Sequence, residues 1–272
     1  MYKILNQPKV TIGMPVYNGG AFIREALDCL LAQTFNNFEL IISDNASNDD
    51  TETICREYAE RDQRIRYVRQ SVNLGVIANF QFVLSEGIGE YFMWATPDDR
   101  RHPLFVEYAI AVLDSDQNVG LVFCDMSVTN LLNGESQYYP IGYSGASAKW
   151  KRYLFRLTHQ CPSLIYGLHR RSILQDFQIR QYDYMDVHLT HWYELNSNVK
   201  TIPLYLYSAG TNGERVPYSL TGKYVCSRAL LKAERILLRK HFSPTVAIIL
   251  YSLSHLIFKK NDEHVNSIIK QK

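Results

Sequence analysis

The stretch VTIGMPVYN at residues 10–18 decides the fold of this chain together with FELIISDN at residues 38–45. Each is a short run of apolar, partly β-branched residues that ends in polar or turn-forming ones, which is typical of a buried strand. Between the two runs, residues 21–33 repeat apolar side chains at helical spacing. A strand, a helix and a second strand form a βαβ unit, so this part of the sequence predicts a parallel sheet.

The same alternation continues through the first half of the chain. The sequence predicts further strands at residues 65–68, 91–95 and 119–124, and helices at residues 47–60, 76–84 and 103–113. Ser47 and Asp50 have the spacing of a capping box, so we expect the second helix to begin at Ser47. Strands that alternate with helices in this way indicate an α/β domain whose sheet is covered by helices on both faces.

The composition is that of an ordinary globular protein. The 272 residues are 46% hydrophobic and 21% charged, with 29 basic and 27 acidic side chains and a net charge of +2. This balance argues against a general nucleic-acid binder. The five cysteines are widely spaced and include no CxxC pair, which is typical of reduced thiols, so we expect a cytoplasmic protein. No run reaches the ~20 continuous apolar residues of a membrane-spanning helix.

The charge is distributed unevenly along the chain. Residues 1–214 hold 18 basic and 24 acidic side chains, whereas residues 215–272 hold 11 basic and 3 acidic ones. On a helix predicted from Tyr224 onward, four cations recur on one face, namely Arg228, Lys232, Arg235 and Arg239. An apolar segment follows at residues 244–258. The pattern predicts either a basic amphipathic element on an anionic membrane surface or a solvated face on helices that pack against the protein.

Polar residues follow the first, second and fourth predicted strands, at positions 15–18, 43–45 and 96–99. Ligands of open α/β sheets bind beyond the carboxyl ends of the strands, so we expect these clusters to share one crevice. Asp98 and Asp99 would repel each other there unless a cation lay beside them, and Mg²⁺ or Mn²⁺ prefers such oxygen ligands. The alternative is that both carboxylates cap the next helix and face solvent.

Two common nucleotide-binding motifs are missing from the sequence. The first strand-to-helix turn does not read GxGxxG, which argues against a dinucleotide-binding protein. The chain also has no GxxxxGK[ST] loop, which argues against a P-loop NTPase.

The stretches quoted above resemble the motifs of family 2 glycosyltransferases with the GT-A fold. VTIGMPVYN is similar to the family's opening strand, and QTFNNFELIISDNAS at residues 33–47 is similar to its second strand. NLG at residues 73–75 and GEYFMW at residues 89–94 continue the match, which is dense over residues 9–125. The resemblance implies a Rossmann-like nucleotide-sugar-binding sheet flanked by helices, here with a helical C-terminal extension.

The resemblance also implies roles for individual residues. Asp44 would bind the nucleoside base and Tyr17 would pack on it. The implied donor-binding set is Pro15, Tyr17, Asp44, Asn73 and Asp98. TPDD at residues 96–99 stands where the family carries its DxD metal motif, so Asp98 and Asp99 would hold Mn²⁺ or Mg²⁺. Thr96 replaces the first acid of DxD. We expect Asp98 to be the direct ligand, with Asp99 as the alternative.

A second match lies further along the chain. YDYMDVHL at residues 182–189 resembles the family segment that carries the catalytic base. Asp186 matches that base, although Met185 replaces the glutamate that precedes it in the family, and Asp183 is the alternative base. Because this mechanism needs no second nucleophile, the resemblance implies inversion at the anomeric carbon.

We therefore expect a metal-dependent inverting glycosyltransferase. It would move a sugar from a UDP- or dTDP-type nucleotide sugar to a hydroxyl of a glycan or lipid-linked acceptor, in bacterial surface polysaccharide or lipopolysaccharide assembly. Residues 1–125 would bind the donor, residues 126–214 would bind the acceptor, and residues 215–272 would form the basic extension. We expect the protein to lie in the cytoplasm, on the inner face of the membrane, as a homo-oligomer and without a nucleic-acid partner.

One rival interpretation stays open at this point. Thr96 and Met185 depart from the family pattern at the metal motif and beside the base. The chain could therefore be a non-catalytic nucleotide-sugar or carbohydrate-binding protein with a degenerate metal motif.

Overall fold

The structure is a computed structural model that describes residues 7–141, 148–158, 161–177, 185–211 and 228–254. The strands are β1 (Val10–Val16), β2 (Phe38–Asp44), β3 (Ile65–Arg69), β4 (Tyr91–Trp94), β5 (Arg100–Arg101), β6 (Val119–Asn130), β7 (Ser136–Tyr139), β8 (Leu168–Arg170) and β9 (Asn198–Thr211). The helices are α1 (Ile23–Leu31), α2 (Thr51–Arg61), α3 (Val76–Glu86), α4 (Phe105–Ser115), α5 (Lys149–Thr158), α6 (Arg171–Leu174), α7 (Met185–Asn196), α8 (Arg228–His241) and α9 (residues 244–254).

The chain divides into two units that interleave along the sequence. The sheet unit comprises residues 1–144, 166–178 and 199–214. The helical unit comprises residues 145–165, 179–198 and 215–272. These two units do not test the predicted functional division into residues 1–125, 126–214 and 215–272, which stays a prediction.

The strands of the sheet unit form one mixed sheet in the order β3-β2-β1-β4-β8-β6-β9-β5, with β7 paired to β6. Strand β1 is parallel to β2 and β4, and β2 is parallel to β3. Strand β8 pairs antiparallel with β4 and β6, and β5 pairs antiparallel with β9. The predicted parallel sheet is therefore confirmed for β1 to β4, whereas the predicted strand at 119–124, observed as β6, pairs antiparallel with β7 and β8.

The hydrophobic core of the sheet unit is centred on β1. Every residue of β1 is buried, and β2 is buried at six of its seven positions. Helix α1 buries Ile23, Ala26, Leu27 and Leu30. Strands buried on both faces have continuous apolar runs instead of alternating ones, which is the pattern that VTIGMPV shows.

The start of α2 differs from the prediction. The helix begins at Thr51, and its N-cap residue Asp50 makes no side-chain capping hydrogen bond. The Ser47 hydroxyl instead accepts a hydrogen bond from the backbone N–H of Asn18, 2.9 Å away. The predicted capping box between Ser47 and Asp50 is wrong, because Ser47 joins the loop after β2 to the loop after β1.

The helical unit contains α8 and α9 at its C-terminal end. As predicted for an amphipathic helix, α8 buries Leu237 and Leu238 and exposes Arg235 and Arg239. The side chains of Arg228 and Lys232, and the predicted helix start at Tyr224, lie outside the described residues.

Within the described ranges, no helix combines the length and the apolar character needed to cross a bilayer.

Candidate active site

A cavity opens at the carboxyl ends of β1 and β2, beside the start of α3. Its volume is about 140 Å³, and it is lined by Pro15, Val16, Tyr17, Asn45, Asn73, Val76, Asn79 and Phe80. Three of the five predicted donor-binding residues, Pro15, Tyr17 and Asn73, therefore lie together. Tyr17 is 48% exposed, so its side chain is accessible to a flat ligand such as a nucleoside base.

Asp44 lies beneath this cavity and not on its wall. Its side chain is fully buried. Oδ1 accepts a hydrogen bond from the backbone N–H of Ser47 at 2.9 Å, and Oδ2 accepts from the Tyr67 hydroxyl and from Arg69 Nη1, each at 2.8 Å. These contacts make Asp44 a positioning residue for the loop after β2, and its contact with a base stays a prediction.

Asn45 connects the cavity to the loop that precedes α3. Its Nδ2 donates to Asn73 Oδ1 at 2.8 Å, and its Oδ1 accepts from the backbone N–H of Leu74 at 2.8 Å. Gly75 follows at a φ of +83°, a conformation that favours glycine. The cavity wall at Asn73 is therefore fixed by β2 through Asn45. Asn45 was not among the predicted donor contacts, although its position directly after Asp44 is a signal for one.

Two residues beside the cavity hold left-handed backbone conformations without being glycine. Asn18 has a φ of 52° and Ala46 has a φ of 61°. The surrounding bonds hold them, since Asn18 Oδ1 accepts from the backbone N–H of Asn48 and the backbone N–H of Gly19 donates to Thr51 Oγ1. Such strain is concentrated at functional sites in proteins, which favours a ligand-binding role for these two loops.

The acidic loop, residues 96–99 after β4, lies next to the loop after β1. A Cβ placed on Gly19 would come within 2.7 Å of Val16 and 3.0 Å of Pro97, so the loop after β4 closely approaches the loop after β1. The crevice predicted at the carboxyl ends of β1, β2 and β4 is thus observed within the sheet unit.

Asp98 and Asp99 have different surroundings. Asp99 is buried, and its Oδ2 accepts a hydrogen bond of 2.6 Å from the Tyr207 hydroxyl while its Oδ1 accepts one of 3.1 Å from the backbone N–H of Gly210. Burial, followed by the charge of Asp98, raises the pKa of Asp99. Asp98 is only half-buried. Helix α4 begins with Leu104 as its N-cap and has no side-chain capping bond, so neither carboxylate caps it.

Gly210 allows β9 to reach this loop. A Cβ at Gly210 would lie 2.0 Å from the carbonyl oxygen of Asp98, a separation that no side chain tolerates. Arg101 supports the same corner, since its Nη2 donates to the carbonyl oxygens of Trp94 and Tyr166 and its guanidinium lies 5.1 Å from the centre of the Tyr207 ring. Sequence reasoning missed Gly210 and Tyr207, because both lie more than a hundred positions from Asp99 along the chain.

The carboxylate oxygens of the acidic loop are the kind of ligand that a divalent cation prefers. Their number is sufficient only if the substrate supplies further ligands. Among the described residues, no group of three or more His, Cys, Asp or Glu side chains could hold a metal ion. Asp98 and Asp99 provide carboxylate oxygens, and Mg²⁺ commonly binds one or two carboxylates together with substrate phosphates and water. These two carboxylates therefore fit a cation that a substrate diphosphate also binds.

Asp186 belongs to the helical unit, in the first turn of α7. Its Oδ1 accepts a hydrogen bond of 2.9 Å from the backbone N–H of Val187. Burial raises the pKa of Asp186, which makes its carboxylate a stronger base than an exposed aspartate. Asp183, the alternative base, lies outside the described residues.

A buried ion pair joins α7 to α5. Arg156 and Glu194 are almost fully buried, and Arg156 Nε donates to Glu194 Oε1 at 3.0 Å. Arg152 donates from the same helix to the carbonyl oxygens of Glu194 and Ser197, at 3.0 and 3.1 Å. These contacts fix the helix that carries Asp186. Sequence reasoning missed them, because arginine and glutamate are usually exposed.

Comparison with known proteins decides the family. Residues 11–176, which make up more than half of the chain, match the sequence model of glycosyl transferase family 2. This chain belongs to that family. Among its relatives, an uncharacterized glycosyltransferase of Rickettsia typhi is 32% identical over 161 residues, which are 59% of this chain and 48% of the relative. The matched part is thus less than half of that relative's length.

Solved structures support the GT-A fold. The chain is similar to Staphylococcus aureus TarS in complex with UDP-GlcNAc, with a TM-score of 0.68, 18% identity, and coverage of 93% of this chain and 72% of TarS. It is also similar to the mannosyltransferase PcManGT of Pyrobaculum calidifontis in complex with GDP-Man and Mn²⁺, with a TM-score of 0.60, 17% identity, and coverage of 98% and 77%. The predicted family and fold are therefore confirmed.

Proposed function

We propose that this family 2 glycosyltransferase transfers a sugar, with inversion, from a UDP- or dTDP-type nucleotide sugar to a hydroxyl acceptor. The observation that carries the proposal is the crevice of the sheet unit, where Tyr17, Asn45 and Asn73 line a cavity and the acidic loop approaches the loop after β1. The similarity to TarS bound to UDP-GlcNAc supports a uridine donor.

The nucleoside would occupy the cavity of the sheet unit. Tyr17 would offer its exposed ring to the base, and Asn45 and Asn73 would offer amide groups to the base or ribose. Asp44 would act through the loop it holds, because Ser47, Tyr67 and Arg69 already engage its carboxylate. The donor would thus be bound largely by residues that the ends of β1 and β2 position.

The diphosphate would lie at the acidic loop. Asp98 would be the direct ligand of a bound Mn²⁺ or Mg²⁺, and Asp99 would position the loop through its bonds to Tyr207 and Gly210. Such a cation, when bound, supplies Lewis-acid stabilisation of the charge that develops on the leaving nucleotide.

Asp186 would be the general base. The acceptor hydroxyl is a weak nucleophile, and a positioned carboxylate that takes its proton contributes about 10²–10⁴-fold to the rate. The raised pKa of Asp186 suits this role. Attack by the hydroxyl on the face opposite the leaving nucleotide inverts the anomeric carbon, and the chain's residues need to form no covalent intermediate.

The acceptor we propose is a glycan or lipid-linked sugar in bacterial surface polysaccharide or lipopolysaccharide assembly. The net charge of residues 215–272, which hold 11 basic and 3 acidic side chains, supports an anionic acceptor or an acceptor in an anionic membrane.

A panel of nucleotide sugars tests donor binding by thermal shift. A donor present at a hundredfold its Kd stabilises a protein by about 2.7 kcal/mol, which raises the melting temperature by several degrees. We expect UDP or dTDP sugars to raise the melting temperature of the wild type in this way. The double variant Tyr17→Ala, Asn45→Ala should lose most of this increase. Leu132→Ala, an exposed change away from the cavity, is the control. An unshifted melting temperature with every nucleotide sugar would refute the donor assignment.

A further inference from the structure

An apolar surface of the helical unit lies open to solvent on α9. Its four exposed aliphatic side chains are Val246, Ile248, Ile249 and Leu253, each between 39% and 59% exposed. Ala247 and Leu250 on the other face of the helix are buried, so α9 packs on the unit by that face. Residues 243–254 contain no charged side chain. Exposed apolar surface of this kind marks an interaction site.

The borders of this surface carry positive charge. Arg239 and Lys240 are exposed at the end of α8, and the Arg235 guanidinium lies 5.9 Å from the centre of the Tyr251 ring on α9, so the cationic face of α8 adjoins α9. Residues 235–254 contain three basic and no acidic side chains. The expected partner is therefore both apolar and anionic.

Helix α5 adds basic and aromatic side chains near the end of α8. Burial, followed by the charges of Lys149 and Lys240, lowers the pKa of His241, so α5 begins close to the end of α8. Trp150 is 46% exposed, and the Lys151 ammonium lies 5.5 Å from the centre of its ring. An exposed tryptophan among lysines is typical of protein surfaces at the membrane interface.

We propose that the α9 apolar face and its basic border form a membrane-docking surface, on which the helical unit lies against an anionic lipid bilayer. The aliphatic side chains would enter the boundary between headgroups and acyl chains, while Arg235, Arg239 and Lys240 would face anionic headgroups. A second copy of the chain fits less well, because a symmetric interface would bring the same cations against each other. The proposal does not depend on the proposed reaction, since docking needs neither donor nor acceptor.

Vesicle flotation of the full chain tests the proposal. We expect the protein to float with vesicles of phosphatidylcholine and phosphatidylglycerol in equal parts, to float far less with phosphatidylcholine alone, and to be released at about 1 M salt, where the Debye length is about 3 Å. A wild-type protein that did not float with the anionic vesicles would overturn the proposal. Flotation that required an added lipid-linked acceptor would also overturn it, because the acceptor site would then explain the binding.

Two pairs of substitutions separate the apolar from the basic contribution. Arg239→Gln with Lys240→Gln should weaken binding to anionic vesicles about 25-fold, since each basic side chain near such a surface contributes about fivefold. The control pair Arg56→Gln with Arg61→Gln removes two exposed charges of α2 and should change binding less than about twofold. If both pairs of substitutions weakened binding to anionic vesicles equally, the attraction would be non-specific and the proposal would be contradicted.

Ile248→Ser with Ile249→Ser should weaken binding about tenfold or more, because both side chains would lose their burial in the bilayer. Leu132→Ser with Ile88→Ser, two exposed apolar side chains of the sheet unit, is the matched control and should leave binding unchanged. Light scattering completes the test. If the isoleucine variant converted an oligomer into a monomer and still floated like the wild type, the α9 face would be an interface between copies and the proposal would be wrong.

Discussion

Asp98 and Asp99 are neighbours in sequence, but their surroundings differ. The two bonds to Tyr207 and Gly210 bury Asp99 within the sheet unit, whereas Asp98 is half-buried at the crevice. The sequence placed both residues at the end of a strand and favoured Asp98 as the metal ligand by motif position, but it could not show that Asp99 is the more buried of the two. The difference depends on β9, which joins the acidic loop only in the folded sheet.

Replacing each of these residues by alanine should therefore have different effects. Asp99→Ala leaves a buried hydroxyl and a buried N–H without an acceptor, so we expect it to lower the free energy of unfolding by about 2–3 kcal/mol. Asp98→Ala should cost less than about 1 kcal/mol but raise the Mn²⁺ or Mg²⁺ concentration for half-maximal rate about tenfold or more. Urea unfolding and metal titration measure the two effects. The reverse ranking in both measurements would exchange the two roles.

The raised pKa of Asp186 predicts a pH dependence of the rate. An exposed aspartate has a pKa of about 3.9, and burial raises the pKa of Asp186 above that value. A general base must be ionised, so the rate is lost as the pH falls through its pKa. We expect the acid limb of the kcat/KM profile, which reports the free enzyme, to have its midpoint above about 4. A midpoint below the ordinary value would conflict with a buried base.

At the scale of elements, strands β1 to β4 and β6 were predictable, whereas the short strands β5, β7 and β8 were not. Strands β1 to β4 and the helices between them follow one another along the chain, so local hydrophobic periodicity locates them within a few residues. Strand β8 has three residues and β5 has two, and both pair with strands far along the chain. Segments that short have no periodicity to detect.

The candidate site shows the same limit. The family resemblance pointed to Pro15, Tyr17 and Asn73, and the structure brings them together at one cavity. Asn45 was expected in the crevice but not among the donor-binding residues, because the resemblance assigned that role to Asp44. Side-chain hydrogen bonds determine that Asn45, and not Asp44, lines the cavity, and such bonds cannot be read from the sequence.

The buried Arg156–Glu194 ion pair between α5 and α7 can be tested by its effect on stability. Glu194→Ala leaves the buried Arg156 charge without this carboxylate, so we expect the free energy of unfolding to fall by about 3–5 kcal/mol. The double variant Arg156→Met, Glu194→Leu should lose less than the single variant, because apolar side chains of similar volume replace both charges. Chemical denaturation compares them. A double variant less stable than Glu194→Ala would show that the pair does not act as a buried charge pair.

At the scale of the whole molecule, charge is distributed unevenly along the chain. The net charge of +2 conceals an acidic region 1–214, which holds the proposed donor crevice and the proposed base Asp186, and a basic region 215–272. The structure adds that the described part of the basic region exposes both cations and aliphatic side chains. Catalysis and membrane docking can therefore be tested independently by substitutions in different regions of the chain.

A glycosyltransferase releases nucleotide from its donor when an acceptor is present, whereas a protein that merely binds a nucleotide sugar does not. The most direct measurement is nucleotide release from the donor in the presence of an acceptor, for the wild type, Asp186→Asn and Asp183→Asn, with donor binding followed by calorimetry. We expect Asp186→Asn to lose about 10²–10⁴-fold in rate and to keep its donor affinity, while Asp183→Asn retains both. Undiminished turnover in Asp186→Asn, or no nucleotide release by a wild type that binds donor, would contradict the account.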